Sequence, residues 1–179
     1  MKTILFLVLF FLPFLSFSQD VTAPYGLQLR DSSIVFEYIV NAPGVKEEII
    51  YAAAHKWIAD NFKYAKSMVQ TEEREIGQII ATGTIQPDYS LVYSVRFQLQ
   101  IDCRDNKYRI RFYNLSVSGL PQPDVSIPFE TYVFGDSAKL SKPKQLEKAK
   151  QKALVLKYNF EAMKKSIVES IDNSSKDTF

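Results

Sequence analysis

Between Leu91 and Tyr113 the chain reads LVYSVRFQLQIDCRDNKYRIRFY, with apolar and polar residues alternating almost without a break. Period-two alternation marks a half-buried strand. Leu91, Tyr93, Val95, Phe97, Leu99, Ile101 and Cys103 fall on one face, and Ser94, Arg96, Gln98, Gln100 and Asp102 on the other. Asp105-Asn106 suits a two-residue hairpin turn, because both side chains tolerate positive φ. Folding about that turn sets Cys103 against Tyr108, Ile101 against Ile110 and Leu99 against Phe112. The polar face then pairs Asp102 with Arg109, Gln100 with Arg111 and Gln98 with Tyr113. A slip of one residue would drive the arginines into the core, so the register is strongly specified. Beyond Tyr113 the phase flips, with Leu115 and Val117 apolar, which predicts a bulge near Asn114.

The same patterns divide the rest of the chain. Residues 19–33 form a polar, proline-containing lead-in, followed by a strand in which Ile34, Phe36, Tyr38 and Val40 share a face, with Glu37 on the other. Asn41-Ala-Pro-Gly44 ends that strand. Ile50, Tyr51, Ala54, Trp57, Ile58 and Phe62 then make one stripe at helical spacing, after a first turn carrying Glu47 and Glu48. Ser67–Thr71 and Gly77–Ile85 predict a hairpin about an acidic turn, its second strand weakened or bulged by Gly83. Residues 118–144 contain four prolines and predict a loop with one short strand at Thr131–Phe134. A long helix follows from about Gln145 to Ile171, its seam running through Leu146, Ala149, Ala153, Leu156, Phe160, Met163, Ile167 and Ile171. Residues 173–179 are a polar tail. The sum is a single α+β domain over 34–172, ordered β-α-β-β-β-β-α. Strands apolar on one face and helices with one apolar stripe imply one antiparallel sheet with two helices packed on one face.

Composition changes this picture at the N-terminus. Ile4–Leu15 is an almost unbroken apolar run after Lys2, shorter than the roughly 20 residues that span a bilayer. With Ser16 and Ser18 before Gln19 it fits a signal peptide over residues 1–18, cut before Gln19. Its removal leaves 21 basic against 20 acidic residues, a formal charge of +1. Near-neutrality argues against a general polyanion binder, whose affinity comes from many phosphate contacts, and export with no interleaved aromatics on the polar face argues against nucleic acid. Export without a membrane span in the processed chain is the expectation, in the periplasm or outside the cell. Cys103 is the only cysteine, so no disulfide closes within the chain and stability must come from packing.

The segment APGVKEEIIYAAAHKWIADNFKYAKSMVQTEEREIGQIIATGTI and the hairpin IDCRDNKYRIRFYNLS carry a further signal. Together with the leader they resemble a family of uncharacterised exported bacterial domains with a TATA-binding-protein-like fold. The resemblance covers roughly residues 34–118. It rests on a Trp-centred helix end, a strand, an acidic turn and a Gly-containing strand. It implies fold and export and transfers no functional residue, because function lives in sites rather than in folds.

Candidate chemistry is sparse. His55 is the only histidine, and no oriented partner that would make it a general base is visible in the pattern. Cys103 ends an inward row and fits a small buried hydrophobe better than a reactive thiol. Glu72, Glu73 and Glu75 cluster on a turn, where carboxylates point into water rather than across a cleft. Nine lysines between Lys139 and Lys165 face only Glu147 and Glu161, and Lys144, Lys148, Lys152 and Lys165 fall away from the apolar seam. The sequons at Asn114 and Asn173 and the Asp136-Ser-Ala138 triplet carry little weight. No catalytic constellation, metal set or cofactor motif is visible. What remains is the polar sheet face, where Arg96, Gln98, Gln100, Arg109, Arg111 and Tyr113 include the residue types enriched at interfaces. The expected function is a non-enzymatic binding module for an unknown protein or envelope component. The alternative is a structural part of an envelope assembly, contacted through the basic C-terminal helix. Changing Arg96, Arg109 and Arg111 to Gln is expected to remove a partner with little effect on stability.

Overall fold

The computed structural model describes residues 21–23, 26–62, 69–87, 93–119, 122–135 and 142–176. The expected leader, Ser67 and Met68, Leu91, Asp136-Ser-Ala138 and the last three residues of the tail lie outside that set.

The Leu91–Tyr113 pattern becomes the centre of the molecule. β6 (Tyr93–Arg104) and β7 (Lys107–Gly119) pair about Asp105-Asn106 in the register the alternation requires, from Arg104 opposite Lys107 to Gln98 opposite Tyr113. Of the two turn residues only Asn106 takes a positive φ, of 66°. Both residues also hold the start of the first helix. Asp105 Oδ1 accepts the Glu47 N–H at 2.9 Å, and Asn106 Oδ1 accepts the Gly44 N–H at 2.8 Å. A carboxylate at that helix end satisfies a backbone donor that has no partner within the helix.

The phase flip is a bulge. Arg96 pairs with Ser116 and Gln98 with Tyr113, so Phe97 faces both Asn114 and Leu115. Asn114 absorbs the extra residue at φ 51°, and Leu115 and Val117 return to the core.

Around this hairpin, β3 (Ser33–Asn41) pairs with the first half of β7, and β5 (Gln78–Ile85) with β6. The sheet is antiparallel and, among the described residues, eight-stranded. Its order is β1 (Val21–Ala23), β2 (Leu27–Arg30), β3, β7, β6, β5, β4 (Val69–Glu73), with β8 (Gln122–Pro128) lying beside the second half of β7. The expected lead-in is corrected: it contains β1 (Val21–Ala23) and β2 (Leu27–Arg30), and β2 joins β3 through Asp31 and Ser32, both at positive φ. Four residues are too few for period two to stand out, although Leu27 is buried. The acidic turn is a 3₁₀ turn at Arg74–Ile76 between β4 (Val69–Glu73) and β5.

Gly83 neither bulges nor interrupts β5; it pairs in register with Phe97. A Cβ there would lie 2.4 Å from Phe97 Cζ and 2.9 Å from Phe62 Cε1. The glycine therefore makes room for two aromatic rings.

The 118–144 region is also corrected. Its strand lies upstream as β8 (Gln122–Pro128), and the expected strand at Thr131–Phe134 belongs to helix α2 (Phe129–Phe134). The prolines of β8 are tolerated because it is an edge strand. Phe129 and Val133, four residues apart, turn one helical face into the core, a spacing that the β-forming composition of TYVF conceals.

Helix α1 (Glu47–Asn61) and helix α3 (Pro143–Lys176) cover the apolar face of the sheet. Trp57 Nε1 donates to Ser166 Oγ at 2.9 Å and ties the two helices. Phe160 of α3 stacks on Phe112, with centroids 4.5 Å apart, and meets Phe36 and Phe97 at 4.9 and 5.2 Å. α3 extends beyond Ile171, so residues 173–176 of the expected tail are helical.

Candidate outer-face binding site

Both helices lie on one side, which leaves the other face of the sheet to its own side chains. Two carboxylates organise it. Glu37 of β3 stands opposite Arg111 of β7, and its Oε2 receives Nε and Nη2 of Arg111 at 2.7 Å each. Arg30 Nη1 reaches the same oxygen at 3.5 Å and Arg109 Nη1 at 4.0 Å. The Arg111 and Glu37 side chains are only 18% and 20% exposed, which makes this a partly desolvated pair rather than a surface one.

Asp102 is the second centre. Arg109 gives it Nε at 2.8 Å and Nη2 at 2.7 Å, Gln100 Nε2 donates at 2.9 and 3.1 Å, and Gln78 Nε2 at 2.6 Å. Burial alone would raise this carboxyl. The hydrogen bonds from Gln100, Gln78 and Arg109, with the charge of Arg109, outweigh it and hold the pKa below the ordinary carboxylate value.

The six residues singled out from the sequence thus share a face but not a role. Arg109 and Arg111 are clamped, Gln100 is buried, and Gln98 accepts from Asn114 Nδ2. Tyr113 is half-buried, and burial raises its phenol. Arg96 is exposed and makes no ion pair or hydrogen bond among the described residues.

The residues that alternation did not single out lie at the β3 end. Ile39 points outward beside Arg109 and is 70% exposed. It separates two depressions of about 250 and 340 Å³. The first runs past Arg30 and Glu37; the second brings Arg104, Lys107 and Arg109 to the single carboxylate Asp102. The β3–β7 register joins strands about 70 residues apart, which alternation within either strand cannot specify. The outward position of Ile39 was nonetheless readable from its neighbours Tyr38 and Val40.

Other candidates lie apart from this face. His55 is half-buried on α1. Cys103 is buried in the core, and burial, followed by the charges of Glu47 and Asp102, pushes its thiol up to about 12. Glu73, Arg74 and Glu75 are exposed at the 3₁₀ turn. Lys152 does not extend into solvent as expected: it leans on the Tyr132 ring, with Nζ 3.5 Å from the centroid. Among the described residues no three His, Cys, Asp or Glu side chains gather to hold a metal ion. No helix among them is long and apolar enough to cross a membrane.

Residues 36–118 match the family model described as a domain of unknown function (DUF4468) with TBP-like fold. Over these residues the chain is similar to the DUF4468 family. The match spans β3 to β7, which contains Glu37, Ile39, Asp102 and the three arginines 96, 109 and 111. A DUF4468 family protein from Bacteroides ovatus ATCC 8483 is similar in structure at 18% identity and TM-score 0.62, over 81% of this chain and 90% of that one. A TBP-like protein from Parabacteroides distasonis ATCC 8503 is similar at 15% identity and TM-score 0.60, over 81% and 96%. These likenesses establish the α+β, TBP-like fold, and no catalytic family is indicated. No curated protein matches the chain.

Proposed function

We propose that this chain is an exported, non-enzymatic binding module whose partner docks on the outer sheet face around Ile39. The observation that carries the reading is Ile39 itself, an exposed aliphatic side chain standing between two depressions and bordered by cations held in place. A single exposed apolar residue is ordinary on a protein surface. Here its neighbours Arg109 and Arg111 are fixed by Asp102 and Glu37, so little side-chain freedom is lost when a partner arrives.

In the larger depression Arg109 is engaged by Asp102 and Arg104 lies 3.8 Å from Glu47, which leaves Lys107 as its exposed cation without an ion pair among the described residues. The depression therefore favours an acidic protein or envelope component presenting an apolar side chain to Ile39. Non-enzymatic action is supported by the chemistry of the face. Its carboxylates are engaged by Arg and Gln donors, and Asp102 is held below the ordinary carboxylate value, the opposite of a general acid. Export is supported by the pattern of residues 1–18.

The test is capture from the protein's own cell envelope by wild type and by Ile39→Ser combined with Lys107→Gln. Both side chains are exposed, so the double variant should keep its fold. Partner recovery is expected to fall at least about ten-fold, the scale of one anchor contact. Equal recovery would end the reading. The arginine-to-glutamine triple variant is not a clean test, because Arg109 and Arg111 hold part-buried carboxylates.

A further inference from the structure

Helix α3 is a surface element for its first half. Residues 142–148 are all exposed, so its first two turns overhang the body. Farther along, Ala149, Ala153, Leu156 and Phe160 bury one face. The opposite face carries Leu154, Val155 and Tyr158, which are 46%, 36% and 76% exposed. At 100° per residue these three fall within one arc pointing away from the sheet.

Lysines border that arc. Lys148 lies on one side and Lys150 and Lys157 on the other, with Lys144 on the overhang above. Within Pro143–Tyr158 five lysines face one acidic residue, Glu147. Lys144, Lys148 and Lys150 are exposed and form no ion pair among the described residues. The charge is not spread evenly over a nearly neutral chain; it is gathered around the one apolar strip that the helix turns outward.

We infer that α3 lies on an anionic lipid surface, with Leu154, Val155 and Tyr158 entering the headgroup boundary and the bordering lysines pairing with lipid charge. An interfacial helix has this layout: an apolar strip a few side chains wide, Lys or Arg along its borders, and an aromatic group that reaches the headgroup level. Charge complementarity chooses the occupant. A neutral apolar partner would leave the lysines desolvated and unpaired. An anionic bilayer supplies partners to the exposed Lys144, Lys148 and Lys150. The outer sheet face is on the opposite side of the sheet from α3, so lipid contact leaves Ile39 open.

The experiment is co-sedimentation of the protein, in the form its cells process, with phosphatidylcholine vesicles and with vesicles containing phosphatidylglycerol. Binding is expected only with the anionic vesicles, falling as salt is raised. A retained apolar leader would bind both kinds alike, so the comparison separates the two. Changing Lys144, Lys148 and Lys150 together to Gln is expected to weaken binding about 100-fold, since each basic residue near an anionic surface contributes roughly five-fold. Leu154→Ser with Tyr158→Ser is expected to weaken it at least about ten-fold without loss of fold. Equal binding to both vesicles, no binding to either, or undiminished binding by either variant would overturn the inference.

Discussion

Neutralising Glu37 probes the organisation of the outer face. Its Oε2 accepts two hydrogen bonds from Arg111 at 2.7 Å and lies within 4.0 Å of Arg30 and Arg109. Glu37→Gln keeps the shape and removes the charge on which three guanidinium groups converge. A hydrogen bond to a charged group is worth roughly 1.5–3 kcal/mol, against about 0.2–1 kcal/mol for an exposed ion pair. With both side chains about four-fifths buried, the higher range applies. The variant should lose about 2 kcal/mol, which lowers the melting temperature by about 4–8 °C in a domain of this size. Arg111→Gln should lose a similar amount, because Glu37 is then left with its weaker partners. The double variant should lose less than the two together, with a coupling of about 1–2 kcal/mol. Urea denaturation of the four proteins measures it. Strict additivity, or a loss under about 0.5 kcal/mol for Glu37→Gln, would refute the arrangement.

Further outcomes follow from the same geometry. Gly83→Ala should cost about 1–3 kcal/mol by overpacking against Phe97 and Phe62, and unchanged urea stability would contradict the close approach. Asp102 has a folded pKa below its unfolded value of about 3.9, so its contribution is present above that value and is lost as pH falls through the folded pKa. Asp102→Asn should therefore be less stable at pH 7 and show a shallower acid limb; parallel curves would contradict this. The buried Cys103 thiol, pushed up to about 12, should resist thiol reagents at pH 8 until the protein unfolds. Fast labelling of the native protein would contradict its burial.

How far the sequence carried depends on the range of each interaction. The β6–β7 hairpin was legible to the residue, because alternation and the Asp105-Asn106 turn are local and agree with each other. The Asn114 bulge was legible for the same reason: one extra residue must invert the phase that follows. β2 was not, because its four residues offer two alternations, and its turn relies on Ser32 adopting positive φ. The helix at Phe129–Phe134 was concealed by β-branched and aromatic residues whose burial, not their propensity, decided the outcome.

At the candidate site, Asp102–Arg109 was visible as a hairpin pair, while Arg111 was matched only with Gln100. Its carboxylate, Glu37, comes from the strand on its other side, 74 residues away in the chain. Which strand lies on the far side of β7 is a long-range pairing that the local pattern of neither strand specifies. Gly83 teaches the same lesson, since its reason is a pair of rings from two other elements.

The most direct test of the proposed function places a photo-crosslinking amino acid at Ile39 in living cells, and at the exposed Val125 of β8 for comparison. A partner on the outer face predicts a discrete crosslinked species from position 39 that is absent from position 125. No product at position 39, or the same products from both positions, would contradict it.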